Sequence, residues 1–338
     1  METDSPDEVD RQLVHALFIA PRAPFRLLSD VIGVSDQTIA RRYRKLGSAF
    51  GLRVTGVLNG VPLGWTDWLV RLQVTPGHAD GIAQALARRS DTRWITLASG
   101  GTEITWTLQA RTPEQRDDLF LRGLPGSRRV TQITAQSILR VYSPVEWAGY
   151  TSPLSADQVA ALRASGGGYQ ANAAREPLPT QETAESVSLR ADDHLLLAEL
   201  AKDGRESHAA LAAALHWHES TVRRRIDELQ QQHVLYFDVD VNEEFLGAGM
   251  AALIWLAVHP AHLDETGRLI ASHPEIPFAA ATTGQTNLVV SARFRSTTHM
   301  YSYLTTRLAE LSGISAVETS PTIARFKQAG PLTPSLSG

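Results

Sequence analysis

The chain has no cysteine. Disulfides, thiolate metal sites and a cysteine nucleophile are therefore excluded, and a reducing compartment is the natural setting. Long apolar runs are also missing. The longest, Met250 to Val258, falls far short of the roughly 20 residues that a membrane helix needs. The opening METDSPDEVD is acidic and lacks the apolar centre of a secretory signal, so a cytoplasmic protein is expected. There is no surplus of positive charge either. Lys and Arg number 32 against 36 Asp and Glu, a net of −4, so a nucleic-acid partner would have to be met by a local basic face. No serine sits in a Gly-x-Ser-x-Gly context, and no glycine-rich phosphate loop follows a strand, since Gly166 to Gly168 fall in a linker. The 11 His do not join acids at metal-ligand spacing, His216 and His218 around Trp217 included. No metal and no cofactor is expected.

The chain has 338 residues, with ordinary proportions of apolar (43%) and charged (20%) residues, so a soluble globular protein of two or more domains is expected. The dominant feature is a duplication. Asp10 falls on Asp193, Leu13 on Leu196, Arg22 on Arg205, Leu28 on Leu211, Thr38 on Thr221, Arg41 on Arg224, Arg42 on Arg225 and Leu46 on Leu229 at one constant displacement. One extra residue enters near position 75. Pro76 then meets Pro260, Asp80 meets Asp264, Gly100 meets Gly284 and Thr102 meets Thr286. A unit this long is a duplicated two-domain module rather than a solenoid repeat. Any site should therefore exist twice.

Within each copy the pattern changes from helical to alternating. Leu13, Leu17, Leu28, Ile32, Ile39, Tyr43 and Leu46 supply a helical apolar face, and helices are expected over 8–19, 25–32 and 36–47, then again over 192–202, 208–215 and 219–231. The second half of each copy reads as strand 68–75, helix 79–89, strand 92–98, strand 103–110, helix 113–123 and strand 128–142. Its counterpart reads 251–258, 262–272, 277–283, 287–295, 297–311 and 314–327. This βαββαβ order is the ferredoxin-like arrangement. The expected fold class is α+β: two winged, three-helix helix-turn-helix domains, each followed by a ferredoxin-like domain. The expected boundaries are 7–60, 61–142, a linker 143–188, 189–242, 243–327 and a disordered tail 328–338. Within the linker, Ser155 to Ala164 reads as a short helix capped by Ser155 and ended by the glycines after it, and 171–188 reads as flexible.

The turn between the second and third helices is Gly33-Val34-Ser35. Gly33 supplies a left-handed residue, Val34 plugs the corner and Ser35 caps the next helix. Such a turn aims the following helix at a major groove. With Ile39, Tyr43 and Leu46 inward, Gln37, Thr38, Arg41, Arg42, Arg44 and Lys45 lie mostly outward. Arg suits phosphate and guanine edges and Gln suits adenine, so Gln37, Thr38 and Arg41 are the expected base readers, with Arg42, Arg44 and Lys45 for phosphates. From Ser35 to Arg53 five basic residues face one acid, Asp36. The second copy keeps Thr-x-x-Arg-Arg but has His216-Trp217-His218 as its turn. Its third helix carries Ser220, Thr221, Arg223, Arg224 and Arg225 against Glu219, Asp227 and Glu228. This balanced helix should hold the DNA backbone more weakly.

At these residues, VDRQLVHAL…RAPFRLLSDVIGVSDQTIARRYRKL and DDHLLLAEL…RESHAALAAALHWHESTVRRRIDEL, the chain resembles the leucine-responsive regulatory protein/AsnC family of transcriptional regulators. The resemblance covers nearly everything outside linker and tail. It implies sequence-specific binding of double-stranded DNA, an effector domain for an amino acid or related metabolite, and homo-oligomers joined through the ferredoxin-like domains. Family members usually carry one module per chain, so this chain resembles a tandem fusion. The family's effector loop maps onto Gly100-Gly101-Thr102-Glu103 and Gly284-Gln285-Thr286-Asn287. Both depart from the family's Gly-x-Tyr-Asp-like pattern, with Thr for the aromatic and with Glu or Asn for the acid. Each is equally readable as a hairpin turn that needs Gly for its φ angle. Two rival functions share the architecture: a siroheme-decarboxylase-like enzyme, and a DNA-architectural protein without sequence choice.

Overall fold

The computed structural model describes residues 6–123, 128–142, 153–164, 187–242 and 245–329. Copy one contains α1 (Glu8–Ile19), α2 (Phe25–Ile32), α3 (Asp36–Phe50), β1 (Arg53–Leu58), β2 (Thr66–Val74), α4 (Ala79–Ala87), β3 (Thr92–Ala98), β4 (Glu103–Ala110), α5 (Pro113–Asp117) and β5 (Val130–Val141). After α6 (Ala156–Ala164), copy two contains α7 (Asp193–Lys202), α8 (His208–Leu215), α9 (Glu219–Gln231), β6 (Leu235–Asp240), β7 (Met250–Val258), α10 (Leu263–Ala271), β8 (Phe278–Thr282), β9 (Leu288–Phe294), α11 (Thr297–Thr305) and β10 (Ile314–Lys327). Nearly every expected element is present within a few residues. The main additions are β1 and β6. Most of the linker read as flexible and nearly all of the tail lie outside the described residues.

The chain divides into two units, each assembled from both copies: 1–59 with 145–176 and 188–248, and 60–144 with 177–187 and 249–338. In the first, Leu13, Leu17, Leu28, Ile39 and Leu46 are fully buried in one head, and Leu196, Leu200, Leu211, Val222, Ile226 and Leu229 fill the same places in the other. The heads are joined by β1 and β6, which pair antiparallel from Arg53 opposite Asp240 to Leu58 opposite Leu235. An arginine from each head reaches into the other. Arg22 donates to the carbonyls of Gly204 and, at 3.1 Å, Glu206. Arg205 donates to those of Pro21 at 2.5 Å and Ala23 at 2.7 Å, with its guanidinium over the Phe25 and Tyr43 rings. Arg22 and Arg205 are the same position of the repeat, so the two heads are arranged as a dimer written into one chain. Helix α6 belongs to copy one's head. Ser155 caps it by accepting from the Gln158 amide at 3.2 Å, and Gln158 Nε2 donates to the Val31 carbonyl at 2.7 Å.

The second unit is a closed barrel in the order β10-β3-β4-β2-β5-β8-β9-β7. Each copy contributes four strands in ferredoxin-like order. The ring closes because each copy's last strand pairs with the other's second strand, Ile138 opposite Thr282 and Thr322 opposite Ala98. Apolar residues on one sheet face bury against the helices: Val70, Leu72, Ile104, Trp106 and Leu108 with Ala83 and Leu86 in copy one, and Ile254, Leu256, Val290 and Phe294 with Ile270 and Tyr303 in copy two. A third cluster, centred on Leu69, Trp255, Ala280 and Val289, is shared between copies. Among the described residues no helix is long and apolar enough to cross a membrane.

Candidate nucleic-acid interface and effector loops

In copy one Gly33 takes φ +81° and ends α2, with its amide donating to the Ser29 carbonyl at 2.8 Å. Such a φ costs a residue with a Cβ about 1–2 kcal/mol. Ser35 Oγ then accepts from the Thr38 amide at 3.2 Å and meets Thr38 Oγ1 at 2.9 Å. The Thr38 hydroxyl is thus engaged in the cap. Gln37, Arg41 and Arg44 are exposed, whereas Thr38 and Lys45 are half-buried.

Arg42 is a correction to the expected set. Its guanidinium turns back onto α1, where it donates to Asp7 at 2.5 Å and to Asp10 at 2.9 Å. Asp10 is 1% exposed. A buried carboxylate needs this partner, because removing it would strand the charge. Burial opposes ionisation of Asp7, but the Asp10 amide and Arg42 together hold its carboxyl below the usual range. Arg42 therefore fastens α3 to α1, its Nη1 committed to Asp7 and Asp10.

Copy two repeats this lock in a more buried form. Arg225 grips Asp193 through Nε at 2.7 Å and Nη2 at 2.5 Å, and reaches Glu228 at 2.8 Å. Arg225 and Asp193 are almost wholly buried. Arg225 thus also leaves the DNA-facing set. The repeat carried the signal, because Asp10 and Asp193 recur together with Arg42 and Arg225. Outward on α9 are Arg223, 3.9 Å from Glu219, and Arg224, 3.6 Å from Glu228, with Ser220 exposed beside them. His216 adopts φ +57° where copy one has Gly33, and His218 caps α9 without a side-chain bond. A cavity of about 350 Å³ opens at this turn, lined by His216, Trp217, His218, Thr221 and Asp193 among others. Among the described residues no group of three or more His, Asp or Glu could hold a metal ion.

The two expected effector loops have different geometries. In copy one Gly100 and Gly101 take φ +69° and +85°, and Thr102 Oγ1 donates to the Ser99 carbonyl at 2.9 Å. Glu103 is buried and its Oε2 accepts twice from Arg71, at 2.6 and 2.8 Å. Arg71 also donates to Glu318 of copy two at 2.9 Å and lies over the Trp255 ring at 5.0 Å. Half of the Glu103 carboxylate is thus committed to the barrel. In copy two Gly284 takes φ +105°. Asn287 turns away to clamp β7, accepting from the Val258 amide and donating to the Val258 carbonyl, both at 2.8 Å. Gln136 of copy one enters this loop instead, a residue with no motif to mark it.

Comparison with known proteins follows the same division. The model of the AsnC-type helix-turn-helix domain matches residues 7–46 and 191–230, and that of the Lrp/AsnC ligand binding domain matches 251–332. An uncharacterized HTH-type transcriptional regulator of Pyrococcus horikoshii is 26% identical over 135 residues, 40% of this chain and 85% of that protein. A second from the same organism is 30% identical over 111 residues, 32% of this chain and 75% of that protein. The crystal structure of the siroheme decarboxylase NirDL matches with a TM-score of 0.61 at 13% identity, over 95% of this chain and 93% of that one. At that identity the likeness concerns the fold, which is a tandem module in both.

Proposed function

The chain belongs to the Lrp/AsnC family, and from that premise we propose that it is a sequence-specific, DNA-binding transcriptional regulator that responds to a small molecule such as an amino acid. The observation that carries this reading is the outer edge of α3, where Gln37, Arg41 and Arg44 are exposed beside a glycine-ended, serine-capped turn. In a major groove these side chains suit base edges and phosphates, with Lys45 at the margin. Ser220, Thr221, Arg223 and Arg224 form the weaker counterpart on α9, because Glu219 and Glu228 sit beside the arginines. The effector would act through the loops at Gly100 to Glu103 and Gly284 to Asn287. It can shift DNA binding only by binding two arrangements of the protein unequally. The cytoplasm is the compartment this function requires, and further assembly would run through copies of the barrel unit.

The test is a specificity ratio. Genome-wide mapping of bound DNA supplies a site, and the full chain should bind it at least about a thousandfold more tightly than random DNA of equal length at the same salt. A ratio near one would make the protein an architectural binder. One observation favours an enzyme instead: a charge-balanced second head with an open cavity whose lining includes His216 and His218. Mixing the full chain with an iron tetrapyrrole decides this. A stoichiometric shift of the absorbance bands, with no preference among DNA sequences, would replace the regulator by the enzyme.

A further inference from the structure

The loops at Gly100 and Gly284 are the same position of the repeat, yet only one is filled. Gln136 Nε2 donates to the carbonyls of Thr283 at 2.7 Å and Thr286 at 2.9 Å. The strand beside it is pinned both ways: the Ser137 amide donates to Thr283 Oγ1 and the Thr283 amide donates to the Ser137 carbonyl, both at 3.0 Å. A Cβ placed on Gly284 would stand 2.5 Å from Gln136 Nε2, so the carboxamide occupies the space in front of the loop. Around Gly100 and Gly101 a Cβ would meet nothing within 4 Å.

Two exchanges in the repeat underlie this, Ser320 for Gln136 and, beside it, Pro321, which has no amide to donate, for Ser137. Counting back from Thr322 opposite Ala98 and from Ile138 opposite Thr282, Ser320 stands to Gly100 as Gln136 stands to Gly284. Serine is too short to cross to the loop carbonyls. Ser320 is 1% exposed and its Oγ has no hydrogen-bond partner. Glu103, 2% exposed, has Oε1 equally without a partner. Its strand neighbour Ala98 is also the neighbour of Thr322, so Glu103, Thr322 and, two residues along, Ser320 share one face of the barrel. Buried polar atoms without partners are rare and point to something that satisfies them. The Ser99 and Thr102 carbonyls of this loop already accept from Thr102 Oγ1 and the Val74 amide, so the open group is the Glu103 acceptor with the Ser320 hydroxyl on the same face, which suits a donor such as an ammonium or carboxamide –NH₂.

We propose that Gln136 is a permanent occupant of the copy-two loop, and that the chain has one effector site, at Gly100, Gly101, Glu103 and Ser320, for a small ligand bearing a primary ammonium or carboxamide. This rests on reading the loops as effector sites, and the experiment separates the two ideas. Hydrogen–deuterium exchange on the full chain needs no ligand. Amides over 99–102 should exchange at least about tenfold faster than those over 283–287. Gln136→Ser should narrow that difference severalfold, leaving the share held by the Ser137–Thr283 bonds, and Ser320→Gln should slow the first loop. Equal exchange in the unaltered chain would overturn the proposal. Should Gln136→Ser not fold, Ser320→Gln carries the test alone. Calorimetry with each of the twenty common amino acids and with acetamide then counts sites. One per chain is expected, two after Gln136→Ser and none after Ser320→Gln. Two per unaltered chain would overturn the single site while sparing the effector reading. Unequal exchange with no binder would support the plug and overturn the effector reading.

Discussion

The two heads share a scaffold and differ in what they present. Both fasten the third helix to the first with the second arginine of Thr-x-x-Arg-Arg, Arg42 on Asp7 and Asp10, and Arg225 on Asp193. Both reach across with the same arginine, Arg22 or Arg205. The outer edges have separated. Arg41 and Arg44 lie on a helix whose one acid is near its start, while Arg223 and Arg224 each lie beside a glutamate. Positions that hold the fold have been kept, while the outer edges share Thr38 with Thr221 and Arg41 with Arg224 but differ around them, Gln37 against Ser220 and Arg44 against Asp227. A homodimer cannot do this, because every change falls on both heads at once. The barrel shows the same freedom. By strand register, opposite Thr105 and Val289, Arg71 and Trp255 hold the same position in the two copies, and they stack on each other at 5.0 Å. In a symmetric dimer that contact would set like against like.

The sharpest way to break the comparison is to remove the locks. Arg225→Ala leaves Asp193 buried without its partner and should cost about 3–5 kcal/mol in chemical denaturation of the full chain. Arg42→Ala should cost less, because Arg42 is 20% exposed against 5% for Arg225. A variant that kept its stability and lost only DNA affinity would return these arginines to the DNA face. Next comes the outer edge. Arg41→Ala with Arg44→Ala should weaken DNA binding by tenfold or more, and should reduce the slope of log K against log salt by about two if both meet phosphates. Arg223→Ala with Arg224→Ala should change affinity by less than about threefold. Equal losses in anisotropy titrations would sink the asymmetry of the heads.

A last effect, confined to alkaline pH, belongs to Lys327, which copy two's last strand contributes to copy one's sheet, opposite Ile95. Its Nζ donates to the Arg89 carbonyl at 2.5 Å. Burial, with Arg93 nearby, pulls its ammonium down to about 8. Above that pH the folded chain has released a proton that the unfolded chain keeps until about 10.4. Stability should therefore rise between those values, by at most about 1.4 kcal/mol per pH unit, and stay flat below them. Lys327→Met should remove this rise in denaturation measured from pH 7 to 10. A slope unchanged by the substitution would show that another group causes it.

Much of this was legible from periodicity. Helical spacing located α1 to α3 and α7 to α9, and alternation located the barrel strands, because each signal is local and repeated. β1 and β6 gave no such signal. They are six residues each, and what makes them strands is a partner in the other copy. The outward set on α3 was half legible. A helical wheel shows which positions leave the head's own core, but not that Arg42 meets a second helix on its way out.

The sequence alone determined the duplication, the family, the element order and the unequal charge of the third helices. These depend on residue type and spacing along one chain. Tertiary structure decided which arginines are locks, that the second-copy loop is filled by Gln136, and that Glu103 spends half of its carboxylate on Arg71. Each of those outcomes depends on a side chain more than 30 residues away in the chain. Burial makes such pairings obligatory, since an ion or amide removed from water must find its partner wherever the fold brings one.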